Sequence, residues 1–498
     1  MWKVEAESCQ YSDCQIVSDN QYSGRRALQM TDEKARAEFV FDVAERGKYA
    51  VCVAGMGLGG EKTVNCVVNG SSNTLKLNAY GETEVGVFSL KEGLNSVVIT
   101  PNWTWFTVDY VCVRRVGERL AFDISANLVD ALATPQACNM YAFLLSNFGK
   151  KTISGMMTGD MGAANGNILQ QADVQAVYKV SGKYPALIGF DLMNATGLKE
   201  KDAWYQEYTR ACIDLAKDTY QRGGIPAFTW HWRDPSRATD AFYTSELKMK
   251  ISDAMDANGD WDKSSVLYRY FVRDIDAVAD LFLELQEAGV ACVFRPLHEA
   301  SGGWFWWGRE SAKEFCMLYR LVYDEMVRVK GVHNVIWVWN ADPGDVEWNP
   351  GEEYFDIAST DIYNPDFDYS SNSAAFEKLK ATTGGRKIIA LAENGPIPDM
   401  QQEVDDEAVW SWWMPWYQTW GGNFVDKTSA EQWRKCMNDS RVITLDELSA
   451  GWDTETAVMP VFSETPFAAQ CYDLGGRALP HTGNGIYIKG GKKFISKK

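Results

Sequence analysis

Lys387-Ile-Ile-Ala-Leu-Ala-Glu-Asn-Gly-Pro396 is an apolar run that stops abruptly in a carboxylate, a carboxamide and turn residues. A short apolar run bounded in this way suits a strand buried on both faces, as in parallel sheets covered by helices. Ending such a strand in Glu393 is costly unless the carboxylate is paired or used. Working outward, strand candidates alternate with helical periodicity from about residue 140 onward: Thr152–Met157, Ala186–Leu192, Ile225–His231, Val290–His298, Asn334–Asn340, Ile357–Tyr363, Lys387–Glu393 and Trp410–Trp416. The clearest intervening helix places Tyr268, Phe271, Ile275, Val278, Phe282 and Leu285 on one face. Eight β/α units over roughly 300 residues predict an α/β fold of the (β/α)8 TIM-barrel type, with the active site at the C-terminal strand ends. An open doubly wound sheet is the alternative, but no Gly-rich phosphate loop follows the first strand.

Toward the N-terminus the pattern is different. Ala37–Val43, Tyr49–Val53, Thr63–Val68 and Ser96–Thr100 are short strand-like runs separated by Gly47, Asn69-Gly70 and Gly93. They predict a jelly-roll-like β-sandwich over residues 1–116, followed by a linker over 117–138 and the barrel over 139–450. Residues 451–498 return to strand and turn patterns and are expected to form a small β-rich C-terminal appendage.

The net charge of −18 disfavours a polyanionic ligand, which clustered Lys and Arg would have to hold; no nucleic-acid partner is expected. No apolar run approaches the ~20 residues of a membrane helix. The start, Met1-Trp2-Lys3-Val4-Glu5, lacks the charged and apolar regions of a signal peptide, so the chain is either cytosolic or the product of signal removal. Eleven cysteines include no CxxC pair. Cys52, Cys66, Cys112 and Cys292 lie in strand-like runs that suit buried thiols, and Cys9 could pair with Cys14. The 20 Trp and 22 Tyr suit stacking on sugar rings as well as core filling.

Chemistry gathers at the predicted strand ends. Two of the four histidines, His231 and His298, close strands three and four. His298 is followed by Glu299, and then by Ala300-Ser-Gly-Gly-Trp-Phe-Trp-Trp-Gly308. Its four consecutive aromatics cannot all face one core. Glu299 and Glu393 would therefore face each other across the barrel mouth, the minimum kit for glycoside hydrolysis. One must remain protonated and the other ionised, and environment can split their pKa values. Strand six adds Asp361 and Tyr363, whose phenol could bond the nucleophile. Strand two ends in Asp191, and strand eight offers Trp413 and Trp416. A metal site of His231, His298, Glu299 and Asp361 is the competing arrangement, although strand alternation would turn His298 and Glu299 apart. No G-x-S-x-G elbow points to a serine hydrolase.

Arg295-Pro-Leu-His-Glu-Ala-Ser-Gly-Gly-Trp-Phe-Trp-Trp-Gly308, supported by Thr229–Trp232, Trp337-Val-Trp339, Asp361-Ile-Tyr363, Ala390–Glu393 and Trp413–Trp416, resembles glycoside hydrolase family 26 over roughly residues 140–448. That resemblance implies a retaining endo-β-1,4-mannanase needing no catalytic cofactor, with a β-mannan or galactomannan polysaccharide as its partner. It implies Glu299 as acid/base and Glu393 as nucleophile. His231, His298, Trp232, Trp304, Tyr363, Trp413, Trp416 and Asp191 become the substrate-binding set. Some family members carry an Arg after the eighth-strand Trp for a distal subsite; here Tyr417 stands there. A β-1,3-xylanase, a mixed-linkage glucanase and a non-catalytic glycan-binding protein are the alternatives.

Glu5-Ala-Glu7, Tyr22-Ser-Gly24, Gly47-Lys-Tyr49, Val67–Gly70 and Val108-Asp-Tyr110 resemble carbohydrate-binding modules of families 35 and 6. The resemblance implies a structural calcium on Glu5, Glu7 and Asp109. Trp103 and Trp105 become either sugar contacts or seals against the barrel. The tail, Tyr472–Gly476 and Gly485–Lys489, resembles C-terminal segments of exported bacterial proteins. The expectation is a monomer that is secreted, periplasmic or held at the cell surface.

Overall fold

The computed structural model describes residues 2–116, 120–342, 344–417 and 425–448, with four short strands between 471 and 496. The barrel strands are β1 (Thr152–Met157), β2 (Leu187–Asp191), β3 (Ile225–Trp230), β4 (Cys292–Pro296), β5 (Val335–Asn340), β6 (Ile357–Ile362), β7 (Ile388–Asn394) and β8 (Trp412–Pro415). Each pairs in parallel with the next, and β8 returns to β1, which closes the barrel. The predicted strands agree with these within two residues at either end. Except at the end of β6, their residues are buried, as strands covered on both faces must be.

The surrounding helices are α1 (Pro135–Asn147), α2 (Ala172–Ser181), α3 (Ala203–Gln221), α4 (Val266–Glu287), α5 (Ala312–Tyr323), α6 (Ser373–Thr382), α7 (Met400–Asp405) and α8 (Ala430–Met437). Helix α4 buries Phe271, Ile275, Val278, Phe282 and Leu285, the stripe read from its spacing. Helix α1 starts with Pro at its first position, and the Thr134 hydroxyl accepts the Ala137 N–H at 3.3 Å. Residues 120–134 are laid against the barrel. The Asp123 N–H donates to the Gly385 carbonyl at 2.9 Å, and the Val129 N–H donates to Asp356 at 2.7 Å.

The N-terminal region is a sandwich of two antiparallel sheets. One contains Gln15–Ser18, Arg26–Met30, Phe106–Arg115, Gly47–Gly57 and Gly81–Leu90, with Trp2–Glu5 paired to Phe106–Arg115; the other contains Gln10–Ser12, Arg36–Val43, Gly93–Pro101, Lys62–Val68 and Ser71–Leu77. Alternate residues such as Val51, Val53, Phe39, Phe41, Val64 and Ile99 fill the space between the sheets.

The sandwich docks on α6. A side chain at Gly86 would bring its Cβ within 2.5 Å of the Ala374 Cβ, so glycine permits the approach. Lys48 faces Glu377 at 3.7 Å, and the Ser370 hydroxyl accepts the Ser72 N–H at 2.9 Å. Residues 454–498 form a separate unit in which Cys471–Tyr472, Ala478–Leu479, Gly485–Lys489 and Lys492–Ser496 make an antiparallel sheet. The rest of the predicted appendage, His481 included, lies outside the described residues. Cys9 and Cys14 are free thiols, not a pair, and Cys52, Cys66, Cys112 and Cys292 are buried.

Candidate active site

Strand β4 ends at Pro296, and the chain then turns through left-handed conformations at Leu297 and Glu299, each with φ of 54°. Such φ values are uncommon for residues with a side chain and cluster where structure is imposed for function. The turn is held by the Asn340 side chain on β5, whose Oδ1 accepts the Glu299 N–H at 2.8 Å. The indole N–H of Trp304 donates to Glu299 Oε2 at 2.8 Å. Burial, followed by the charge of Glu393, raises the Glu299 pKa above the usual carboxylate range.

Glu393 stands at the end of β7 with its carboxylate buried. The Tyr363 hydroxyl donates to its Oε2 at 2.5 Å, and Arg295 from β4 bonds its Oε1. The same guanidinium holds Asp361 at 2.8 Å, and Asn340 Nδ2 donates to the other Asp361 oxygen at 3.0 Å. One carboxylate oxygen each from Glu299, Asp361 and Glu393 lie within 4.8 Å of one another. A fixed cation and a phenol thus hold Glu393 in place, whereas Glu299 is buried beside a like charge. The arrangement suits proton donation by one carboxyl and attack by the other.

Asp191 is fully buried at the end of β2 and accepts His231 Nδ1 at 2.6 Å, the His231 backbone N–H at 3.1 Å and the Met193 N–H at 3.0 Å. Burial opposes charge on His231, but the Asp191 and Glu393 carboxylates outweigh it and raise its pKa. His298 is shifted well down by burial, His231 and Arg295. Its Nε2 lies 3.2 Å from His231 Nε2, and its Nδ1 lies 3.1 Å from the Thr229 hydroxyl. These shifts favour a protonated His231 donating to a neutral His298.

Four expected sugar contacts require correction, the first being His298, which is buried with both ring nitrogens engaged inside the protein. Asp191 serves His231 and is sealed from the cleft. Trp232 is also fully buried, donating its indole N–H to Asp274 at 2.9 Å and stacking on Trp230. Trp413 packs edge-on against Trp433 inside the barrel wall. The strand-alternation argument for His298 and Glu299 also fails, because β4 has already ended before both. Trp304 (45% exposed) and Tyr363 (46%) do open onto the cleft. Beside them a hollow of about 780 Å³ is lined by His231, Arg233, Phe242, Tyr243, Trp416 and Tyr417, among others. Sequence reasoning left Arg295 and Asn340 without roles and passed over Phe242 and Tyr243. Arg295 carried a signal: a guanidinium inside an apolar strand needs buried carboxylates as partners.

In the sandwich, Glu5 Oε2, Glu7 Oε2 and Asp109 Oδ1 are buried oxygens without a hydrogen-bond partner. Lys3 approaches Glu5 Oε1 at 2.9 Å, and the Ser23 N–H donates to Asp109 Oδ2 at 2.9 Å. Orphaned carboxylate oxygens are the donor type a hard cation such as calcium takes. Trp103 (64%) and Trp105 (57%) are exposed beside a hollow of about 550 Å³, so they do not seal the barrel contact.

Residues 129–447 match the family model for glycosyl hydrolase family 26. The chain belongs to that family. Residues 3–116 match carbohydrate binding module family 35. The family 26 chain is 32% identical over 410 residues to a mannan endo-1,4-beta-mannosidase of Thermothelomyces thermophilus, covering 79% of this chain and 78% of the relative. It is 30% identical over 421 residues to mannan endo-1,4-beta-mannosidase B of a Piromyces species, covering 82% and 70%. Among solved structures, the Podospora anserina GH26-CBM35 beta-(1,4)-mannanase aligns with a TM-score of 0.60 at 27% identity, covering 91% of this chain and 99% of that one. The beta-mannanase of a symbiotic protist of the termite Reticulitermes speratus, solved with a gluco-manno-oligosaccharide, shares 34% identity at a TM-score of 0.60, covering 66% and 99%. The chain is a glycoside hydrolase joined to a carbohydrate-binding module.

Proposed function

We propose that this family 26 hydrolase is a retaining endo-β-1,4-mannanase acting on β-mannan or galactomannan. The observation that carries the reading is the Glu299–Glu393 pair, close together at the barrel mouth, with Glu299 raised by burial and Glu393 held by Arg295 and Tyr363. Retaining enzymes hold their carboxyl groups about 5–5.5 Å apart, whereas inverting ones leave about 6.5–9.5 Å for a water. Oxygens within 4.8 Å support the first arrangement.

Protonated Glu299 gives its proton to the glycosidic oxygen as the Glu393 carboxylate attacks the anomeric carbon, forming a glycosyl ester. Arg295 and Tyr363 keep Glu393 aimed until attack. Glu299, now a carboxylate, takes a proton from water, which opens the ester and restores both groups. Trp304 and Trp416 supply aromatic faces for sugar rings, and the Asp191–His231–His298 chain fixes the floor of the cleft.

We divide the work between residues 1–116, which bind glycan through Trp103 and Trp105 and hold a calcium on Glu5, Glu7 and Asp109, and residues 139–450, which catalyse. A polymeric substrate that cannot cross a membrane supports export; no helix among the described residues is long and apolar enough to span one.

Reducing-end release from galactomannan, β-1,3-xylan and barley mixed-linkage glucan tests the substrate. Galactomannan should be cut fastest, and silence on it alone would reject the mannanase reading. Glu393→Ala should lower kcat by several orders of magnitude, with the fold retained by circular dichroism. An unchanged rate would remove Glu393 as nucleophile.

A further inference from the structure

The outer face of the larger sandwich sheet carries a side-chain cluster that the glycosidase chemistry does not use. Val51, Val53, Val111 and Val113 point into the sandwich core. Strand alternation therefore sends Cys52 and Cys112 to the opposite face. The two cysteines sit directly across from each other on neighbouring antiparallel strands, in a row that runs Lys3, Cys112, Cys52, Glu84. Residues paired in that way have Cα atoms about 4.5–5.5 Å apart, inside the roughly 4.4–6.8 Å range a disulfide spans.

The surroundings are those of a reactive thiol pair. The Cys52 and Cys112 sulfurs and a Glu82 carboxylate oxygen lie within 4.8 Å of one another. Arg114 Nη1 donates to the Cys52 sulfur at 3.4 Å, and the Cys112 thiol donates to Glu82 Oε1 at 3.8 Å. Arg114 also pairs with Glu82, and both side chains are part-exposed, so the cover over the sulfurs is a surface ion pair that opens readily.

We propose that Cys52 and Cys112 form a dithiol site that exchanges with low-molecular-weight disulfides and closes into a cross-strand disulfide. The Arg114 guanidinium on the Cys52 sulfur stabilises a thiolate there, whereas the Cys112 S–H is held by the Glu82 carboxylate. Cys52 is accordingly the nucleophile. Its thiolate attacks one sulfur of the reagent; the new S–S bond forms as the reagent's bond breaks, and one thiolate leaves with the electron pair. Cys112 then loses its proton to solvent and attacks the Cys52 sulfur, expelling the second thiolate. The two cysteines lose two electrons, and one disulfide is reduced to two thiols.

The full chain is incubated with oxidised glutathione, alkylated, digested and mapped by mass spectrometry. A Cys52–Cys112 linked peptide lacking two hydrogens, reversible by dithiothreitol, is expected. The thermal unfolding of the oxidised chain should also rise by several degrees. Cys112→Ser should leave a glutathione adduct trapped on Cys52, whereas Cys52→Ser should leave Cys112 unmodified. Cys138, an exposed thiol on α1, reports reaction by exposure alone. Wild-type chain that takes glutathione on Cys138 while Cys52 and Cys112 both remain alkylatable would overturn the proposal, and that readout needs no variant to fold.

Discussion

At the scale of single residues, the Glu299 carboxyl, the proposed acid/base, is tuned by one indole. The Trp304 N–H stabilises the ionised form of Glu299, and so opposes burial and the Glu393 charge, which raise its pKa. Trp304→Phe keeps an aromatic face but removes the donor, so the Glu299 pKa should climb further. The acid then stays protonated to higher pH, and the alkaline limb of the kcat profile moves upward. A limb that stays in place or moves toward acid would contradict that role. Glu393 was readable from sequence because a carboxylate closing an apolar strand is conspicuous. Trp232, Trp413 and Asp191 were misread because residue type and a strand-end position do not say which way a side chain turns. Trp232 follows the cleft residue His231 and yet packs inward, and Asp191 and Trp413 are buried together with their chain neighbours.

At the scale of elements, the barrel strands were legible because burial on both faces requires continuous apolar runs, a strong local signal. What happens after β4 was not. The left-handed turn at Leu297 and Glu299 depends on Asn340, which comes from another strand. Helix α7 shows a similar long-range dependence. Its Glu403 is fully buried, accepts the Thr152 hydroxyl of β1 at 2.8 Å, and is pushed by burial from about 4.5 up to about 8. The folded protein thus holds this proton more tightly than the unfolded chain does. Below pH about 4.5 both states are protonated and the carboxyl adds no pH dependence. As pH rises toward about 8 the unfolded state ionises first, and stability falls until the folded carboxyl also ionises. Glu403→Gln should flatten the thermal unfolding temperature across that window. A slope equal to wild type would show that Glu403 does not carry it.

At the scale of the whole molecule, two differently built domains meet through polar and small-residue contacts around α6, with Gly86 against Ala374 and Lys48 facing Glu377. The sandwich holds buried carboxylate oxygens that lack partners at Glu5, Glu7 and Asp109. If calcium fills that site, EDTA should lower the unfolding temperature of the full chain, and calcium should restore it where magnesium does so poorly. Indifference to EDTA would count against the site.

The chain's own order of residues determined a β-sandwich followed by eight β/α units, because periods of two and of about 3.6 are written locally. It also marked Glu299 and Glu393, because polar groups ending apolar strands stand out one-dimensionally. Tertiary structure alone decided that Arg295 joins Tyr363 in clamping Glu393, that Asn340 sets the turn carrying Glu299, and that two cysteines far apart in the chain face each other. Those relations join residues on different strands, and only the closure of the barrel and the pairing of the sheets bring them within hydrogen-bonding distance.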